Sequence, residues 1–278
     1  MKKPNHSDDG GTQNYDPETG KYAEDGGFSS GFSSFLKSED DRRSVSSIVN
    51  SLPKGLRSLC EKALTSGSVS FRETSKNEFR IYSRTLCLDK RSLARYGIKM
   101  DDSPYHAPFF VFFHELGHAI DWTSKEGKRL SEGLHEMADI DLLNLEFRGE
   151  MALDAVNEFI ETDSSMAEGA EKEAKRLIGS VSCAADIASY SASSPVSFTY
   201  WDPDRGWYSQ ATYGHSEDYW DESKRAERCD CEIFANMVAL FATTKDDDPA
   251  RKFMKKTFPM VYKNFLRIIA GKEVSAWI

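Results

Sequence analysis

The sequence predicts an α+β fold: a helix-dominated domain with one small sheet, preceded by a disordered N-terminal tail. Three observations lead there. Residues 1 to about 43 are rich in Gly, Ser, Asp and Asn without helical or strand periodicity, the composition of chain that buries too little to order itself. Between residues 66 and 90, β-branched and aromatic residues alternate in short stretches. Beyond residue 108, apolar residues recur three and four apart, as on one face of a helix. The expected organisation is a tail over residues 1–43 and a single domain over residues 44–278.

Each element has its own basis. In the tail, Asp16-Pro17-Glu18-Thr19-Gly20-Lys21-Tyr22 is a turn-former followed by an aromatic, and reads as solvated linker. Residues 45–65 carry helical spacing interrupted by Pro53, which gives two short helices. Residues 68–71, 79–82 and 85–88 are the strands of the small sheet. Pro108 then opens a helix over residues 109–122, and Phe109, Phe110, Phe112 and Phe113 make it too apolar for a surface element. It should be central. Helical spacing returns over residues 130–147 and 151–160. Gly, Pro, Asp and aromatic residues dominate residues 191–220 and predict a long ordered loop. Helices over residues 223–243 and 249–270 close the domain.

Bulk properties narrow the function classes. A formal net charge of −9 argues against nucleic acid as partner, because that affinity comes from clustered Lys and Arg displacing counterions. The five cysteines, Cys60, Cys87, Cys183, Cys229 and Cys231, are odd in number and lack regular spacing, so a disulfide framework is not expected. No apolar run approaches the roughly 18 residues of a membrane span, and acidic, glycine-rich sequence stands where a Sec signal would carry its apolar region. The expectation is a chain that is cytoplasmic at synthesis, with no membrane partner.

The chemistry is concentrated in His114-Glu115-Leu116-Gly117-His118, inside the apolar helix. Residues four apart lie on one helix face, so both imidazoles can reach one ion. Glu115 is rotated about 100° from His114, where it can reach an activated water without holding the metal. Zinc lowers the pKa of a bound water to about 7, and the carboxylate takes its proton during attack on a carbonyl. Two histidines and a glutamate in so apolar a helix are costly unless paired or metal-bound. Gly117 costs roughly 1 kcal/mol relative to Ala in a helix, which implies a packing reason for it. By contrast, His135-Glu136-Met137-Ala138-Asp139 begins alike but has no second histidine, and His135 reads as a packing or surface residue.

A catalytic zinc takes three protein ligands, so a third must come from a second element. Glu232, on an otherwise apolar helix face beside the small residues Ala235, Asn236 and Ala239, is the choice. The competitors are Glu227, which has Arg228 and Asp230 beside it and looks solvated, Cys229 and Cys231, read as small packing residues, and Asp121. A rise of about 1.5 Å per residue puts Asp121 roughly 4.5 Å beyond His118 along the axis, which suits a helix-end contact better.

His114-Glu115-Leu116-Gly117-His118 with Glu232-Ile233-Phe234-Ala235 resembles the gluzincins, in particular the anthrax-lethal-factor-like type. A metzincin pattern fails, since its third histidine falls at Ser124 and its glycine at Asp121. The order Ala185-Asp186-Ile187, Tyr213-Gly214-His215, Asp218-Tyr219-Trp220, the Glu232 segment and Phe258-Pro259 to Phe265 resembles the zincin-like domain of prophage minor head (head morphogenesis) proteins, over roughly residues 78 to 270. The chain departs from the lethal-factor pattern in the long insertion between its two zinc segments. Gluzincins use a Tyr or His donor for the oxyanion, and His215 and Tyr219 are the candidates. The resemblance implies a zinc metallopeptidase, with Zn2+ on His114, His118 and Glu232, Glu115 activating the water, and a protein or peptide substrate. Phage head proteins are the implied partners, with a virion-associated setting. Two rivals follow: a phage assembly or docking module with no turnover, and a toxin peptidase exported by a non-Sec route.

Overall fold

A computed structural model of the chain describes residues 15–16, 21–22, 28–36, 38–91, 93, 108–122, 129–164, 181–193, 195–202 and 207–271. Near the N terminus, β1 (Tyr15–Asp16) pairs antiparallel with β2 (Lys21–Tyr22), one on each side of the turn-forming segment. The rest of residues 1–27 lies outside the described residues.

Packed structure begins upstream of residue 44. Helix α1 (Ser30–Phe35) starts at Ser29, whose hydroxyl accepts the Phe32 N–H, one of the donors a helix start otherwise leaves unpaired. Phe32 is fully buried, its ring 4.6 Å from Phe71 and 5.7 Å from Phe112. Helix α2 (Glu39–Ser51) starts at Ser38 in the same way, with Glu39, Asp40 and Asp41 opposing the positive end of its dipole. The Gly/Ser-rich composition of this stretch hides serine caps and a few apolar anchors, and buried residues stand on both sides of residue 43.

Pro53 ends α2 and opens α3 (Lys54–Thr65), as expected. The small sheet follows as β3 (Ser70–Thr74), β4 (Glu78–Arg80) and β5 (Thr85–Asp89), in the order β3-β5-β4. β5 runs parallel to β3 and antiparallel to β4, with Phe71 facing Leu86 and Phe79 also facing Leu86. The central strand is buried along Thr85 to Leu88, which leaves β4 as an edge.

Helix α4 (Phe110–Asp121) packs on β4 and β5 and is the centre of the fold, with Phe112, Phe113, Leu116, Ala119 and Ile120 fully buried. Phe109 precedes it at φ +69°, a left-handed conformation costly for a bulky residue and held here by burial of its ring. Helices α5 (Leu134–Phe147), α6 (Ala152–Ser164) and α7 (Ser182–Ala192) follow. The expected long loop is instead an antiparallel hairpin of β6 (Val196–Asp202) and β7 (Trp207–Tyr213), then a 3-10 turn (Glu217–Trp220). Most of the aromatic residues of that stretch belong to the two strands, and sequence alone reads them with its Gly, Pro and Asp as loop. Helix α8 (Arg225–Thr243) crosses α4, and the last predicted helix is two, α9 (Pro249–Thr257) and α10 (Pro259–Ala270), split where Pro259 lacks the N–H to continue. No described helix is long and apolar enough to cross a membrane.

Candidate metal centre

The centre lies where α4 and α8 touch. A Cβ built on Gly117 would sit 2.7 Å from the Cα of Ala235, so only glycine allows the two backbones to approach this closely. That is the packing reason the sequence implied. The close approach places Glu232, one turn before Ala235 and Asn236, against the histidine face of α4.

Three side chains converge. His114 Nε2 and His118 Nε2 are 3.2 Å apart, and Glu232 Oε2 lies 3.4 Å from the first and 3.7 Å from the second. Donors held about 2.1 Å from a tetrahedral zinc are themselves about 3.4 Å apart, so the triangle has the size zinc demands. Glu232 Oε2 is buried yet accepts no hydrogen bond, a cost a cation would remove. The protonation states agree with this. Burial, and then the neighbouring His118, lower His114 to about 4, and burial lowers His118 despite Glu232. Burial would raise the Glu232 carboxyl, but His118, His114, His215 and the Tyr219 hydroxyl together hold it below the usual range. Neutral imidazoles and an ionised carboxylate are the forms that bind zinc.

Glu115 faces the same cleft, a cavity of about 450 Å³ that Phe79, Trp122, His215 and Tyr219 also line. Its Oε2 is buried and unpartnered, and burial, then the charge of Glu232, raise its carboxyl well above the usual range.

Two residues of this surround make hydrogen bonds that the sequence reading did not assign. Asn236, one turn after Glu232, has its Oδ1 3.0 Å from His114 Nδ1, and its Nδ2 donates to Asp186 Oδ2 at 2.6 Å. Asp186, buried on α7, also meets His215 Nδ1 at 2.8 Å through Oδ1. A lone acid in Ser182-Cys183-Ala184-Ala185-Asp186-Ile187-Ala188 and a lone amide in the apolar run of α8 are signals that could have found them. Burial alone would lower His215, but the hydrogen bond and charge of Asp186, then Glu232, raise it on balance.

His215 and Tyr219 are brought to the centre, but differently. Their rings stack at 3.8 Å, and His215 lines the cleft, whereas the Tyr219 hydroxyl donates to Glu232 Oε1. Gly214 (φ +77°) makes the turn into His215, and a Cβ there would lie 2.7 Å from Ser189 Oγ, which also caps the His215 N–H.

No known family model, curated protein or solved structure matches this chain.

The remaining competitors for the metal do not join the three converging side chains. Asp121 accepts the Ser131 N–H and hydroxyl at 2.7 and 2.8 Å, a contact that ties off the end of α4. Glu227 is exposed on the cleft rim. Cys229 is buried, and Cys231 accepts from Arg129 at 3.1 Å. His135 pairs with Asp230 at 2.9 Å, as a packing residue would. The arrangement is that of an HExxH motif completed by a distal glutamate, and it is consistent with a zinc site.

Proposed function

We propose that the chain is a zinc-dependent peptidase of gluzincin type, acting on a protein or peptide substrate. One observation supports this above the others: Glu232 Oε2, buried and without a hydrogen bond, facing two imidazole nitrogens at tetrahedral-edge distances. His114, His118 and Glu232 would hold the zinc at the side of the cleft. Bound there, zinc supplies a Lewis acid that makes water nucleophilic and polarises the scissile carbonyl.

The chain's own residues do the rest. Glu115 takes a proton from the attacking water and passes it to the departing amine, so that water adds across the C–N bond and the carboxylate is regenerated. Its buried position, which favours the protonated carboxyl, suits the second transfer. His215 presents its ring to the cleft and, in the doubly protonated form that the charge of Asp186 favours, donates from its Nε2–H to the developing oxyanion, while Tyr219 fixes the orientation of Glu232. Edge strand β4 brings Glu78 and Phe79 to the cleft, where an extended peptide can lie along it as an added strand.

The test is metal analysis of the purified protein with a broad peptide library. About one zinc per chain, cleavage by the unmutated protein, and a Glu115→Gln variant that keeps zinc and cleaves nothing are the expected results. His114→Ala should lose the metal. A zinc-loaded protein that cleaves no peptide would favour the docking module of phage assembly instead.

A further inference from the structure

A second cluster adjoins the first. Asp186, His215 and Glu232 also offer ligand atoms close together, which raises the question of a second ion. The hydrogen bonds answer it. Each Asp186 oxygen already has a donor, from His215 on one side and Asn236 on the other, whereas the other carboxylate of this cluster, Glu232, keeps Oε2 without one, facing the HExxH histidines.

That satisfaction has a direction. Burial raises the Asp186 carboxyl while the hydrogen bond and charge of His215 lower it, and in its ionised form it only accepts hydrogen bonds. Both neighbours of Asp186 must therefore turn donors toward it. Asn236 turns its Nδ2, and its Oδ1 is then fixed toward His114. An amide oxygen in turn only accepts, so His114 must carry its proton on Nδ1 and leave the lone pair on Nε2, the atom that faces His118 and Glu232. On the other side His215 must carry a proton on Nδ1, which leaves Nε2 for the cleft.

We propose that Asp186 is the positioning residue of this centre. One buried carboxylate on α7 sets, through Asn236, the tautomer of a zinc ligand on α4, and sets directly the tautomer of the cleft histidine. It touches neither metal nor substrate. This rests on the zinc-site reading for its consequence, but the orientation of the two rings is a property of the metal-free protein as well. A carboxylate placed behind a ligating imidazole is worth about 10- to 100-fold in metal affinity or activity, and here the same group serves both.

The experiment is long-range 1H–15N spectroscopy of the histidine rings in the metal-free protein, with zinc titrations of Asp186→Asn and of the double variant Asp186→Asn/Asn236→Asp. In the unmutated protein, His114 is expected as a single Nδ1–H tautomer and His215 with a proton held on Nδ1. Asp186→Asn should release both rings into mixed tautomers and weaken zinc binding at least about tenfold. The double variant puts a carboxylate directly on His114 and leaves an amide oxygen for His215, so it should recover both tautomers and zinc affinity to within about threefold, while turnover stays low because no carboxylate then pairs with the cleft histidine. An Nε2–H tautomer for His114 in the unmutated protein overturns the proposal whether or not the variants fold. So does an Asp186→Asn variant with both tautomers and zinc affinity unchanged. If the unmutated protein binds no zinc, the peptidase reading fails, and the ring spectra still decide the role of Asp186.

Discussion

Glu115 is a buried carboxyl that the fold tolerates at a cost, and the cost has a pH signature. Burial and Glu232 raise its folded pKa above the unfolded value, so its contribution to stability is fully present below pH 4.5 and is lost as pH rises through the raised folded pKa. Metal-free Glu115→Gln, which cannot ionise, is therefore expected to unfold at a higher temperature than the parent at pH 7, with the difference closing toward pH 4; melting curves across that range check it. The ligand assignment predicts a second contrast. Glu232→Ala should weaken zinc binding at least about tenfold and Glu227→Ala should barely change it, since the first carboxylate is buried against both imidazoles and the second is exposed. Metal titrations giving the reverse order would remove Glu232 from the site. At this scale the sequence exposes what chemistry demands of residue type: His114, Glu115 and His118 by spacing, Glu232 by an acid among apolar neighbours. It conceals what depends on who faces whom. Asn236 was visible as a small residue for close approach, but its bond to His114 needs the helix crossing, and the tie from Asp186 joins residues 50 positions apart in the chain.

Gly117 and Ala235 carry the same lesson for elements. The glycine marks itself in the sequence as a costly choice, and the crossing of α4 and α8 supplies the reason. Gly117→Ala gains about 1 kcal/mol in helix preference. It also forces a methyl to 2.7 Å from a backbone carbon that has no rotamer to yield. Overpacking costs about 1–3 kcal/mol, so the net expectation is a loss of stability together with weaker zinc binding, because Glu232 rides on the displaced helix. Adding Ala235→Gly should not rescue the variant, since the clash is with the Cα and not with the methyl; calorimetry and zinc titration of the single and double variants test this. The hairpin of β6 and β7 shows the opposite case. Its strands hold Phe198, Thr199, Tyr200 and Trp201 and later Trp207 and Tyr208, all at home in a sheet, but Pro203-Asp204-Arg205-Gly206 between them and Pro195 and Gly214 at their ends pulled the composition toward loop. Local composition averages a turn with its strands, and only pairing separates them.

At the scale of the whole molecule, the N-terminal segment is coupled to the metal helix through aromatic packing. Phe32 lies fully buried between Phe71 of β3 and Phe112 of α4, and Phe112 stands two residues before His114. Its neighbours along the chain are Ser and Gly, which is why a composition argument placed it in a tail. The two boundaries make different predictions. Removing residues 1–27 leaves α1, its Ser29 cap and Phe32 in place, and the shortened chain should keep the parent's stability to within about 1 kcal/mol and its full complement of zinc. Removing residues 1–43 strips Phe32 and Leu36 from the core and uncovers Phe112; deleting one buried phenylalanine alone costs about 3–5 kcal/mol. For a domain with about 5–15 kcal/mol in hand, that loss is a large fraction of its stability. Phe32→Ala in the full chain separates packing from chain length: if the packing argument holds, it lowers the melting temperature nearly as far as the longer truncation does. A truncation at residue 44 that melts with the parent would instead show that α1 rests on the domain without supporting it.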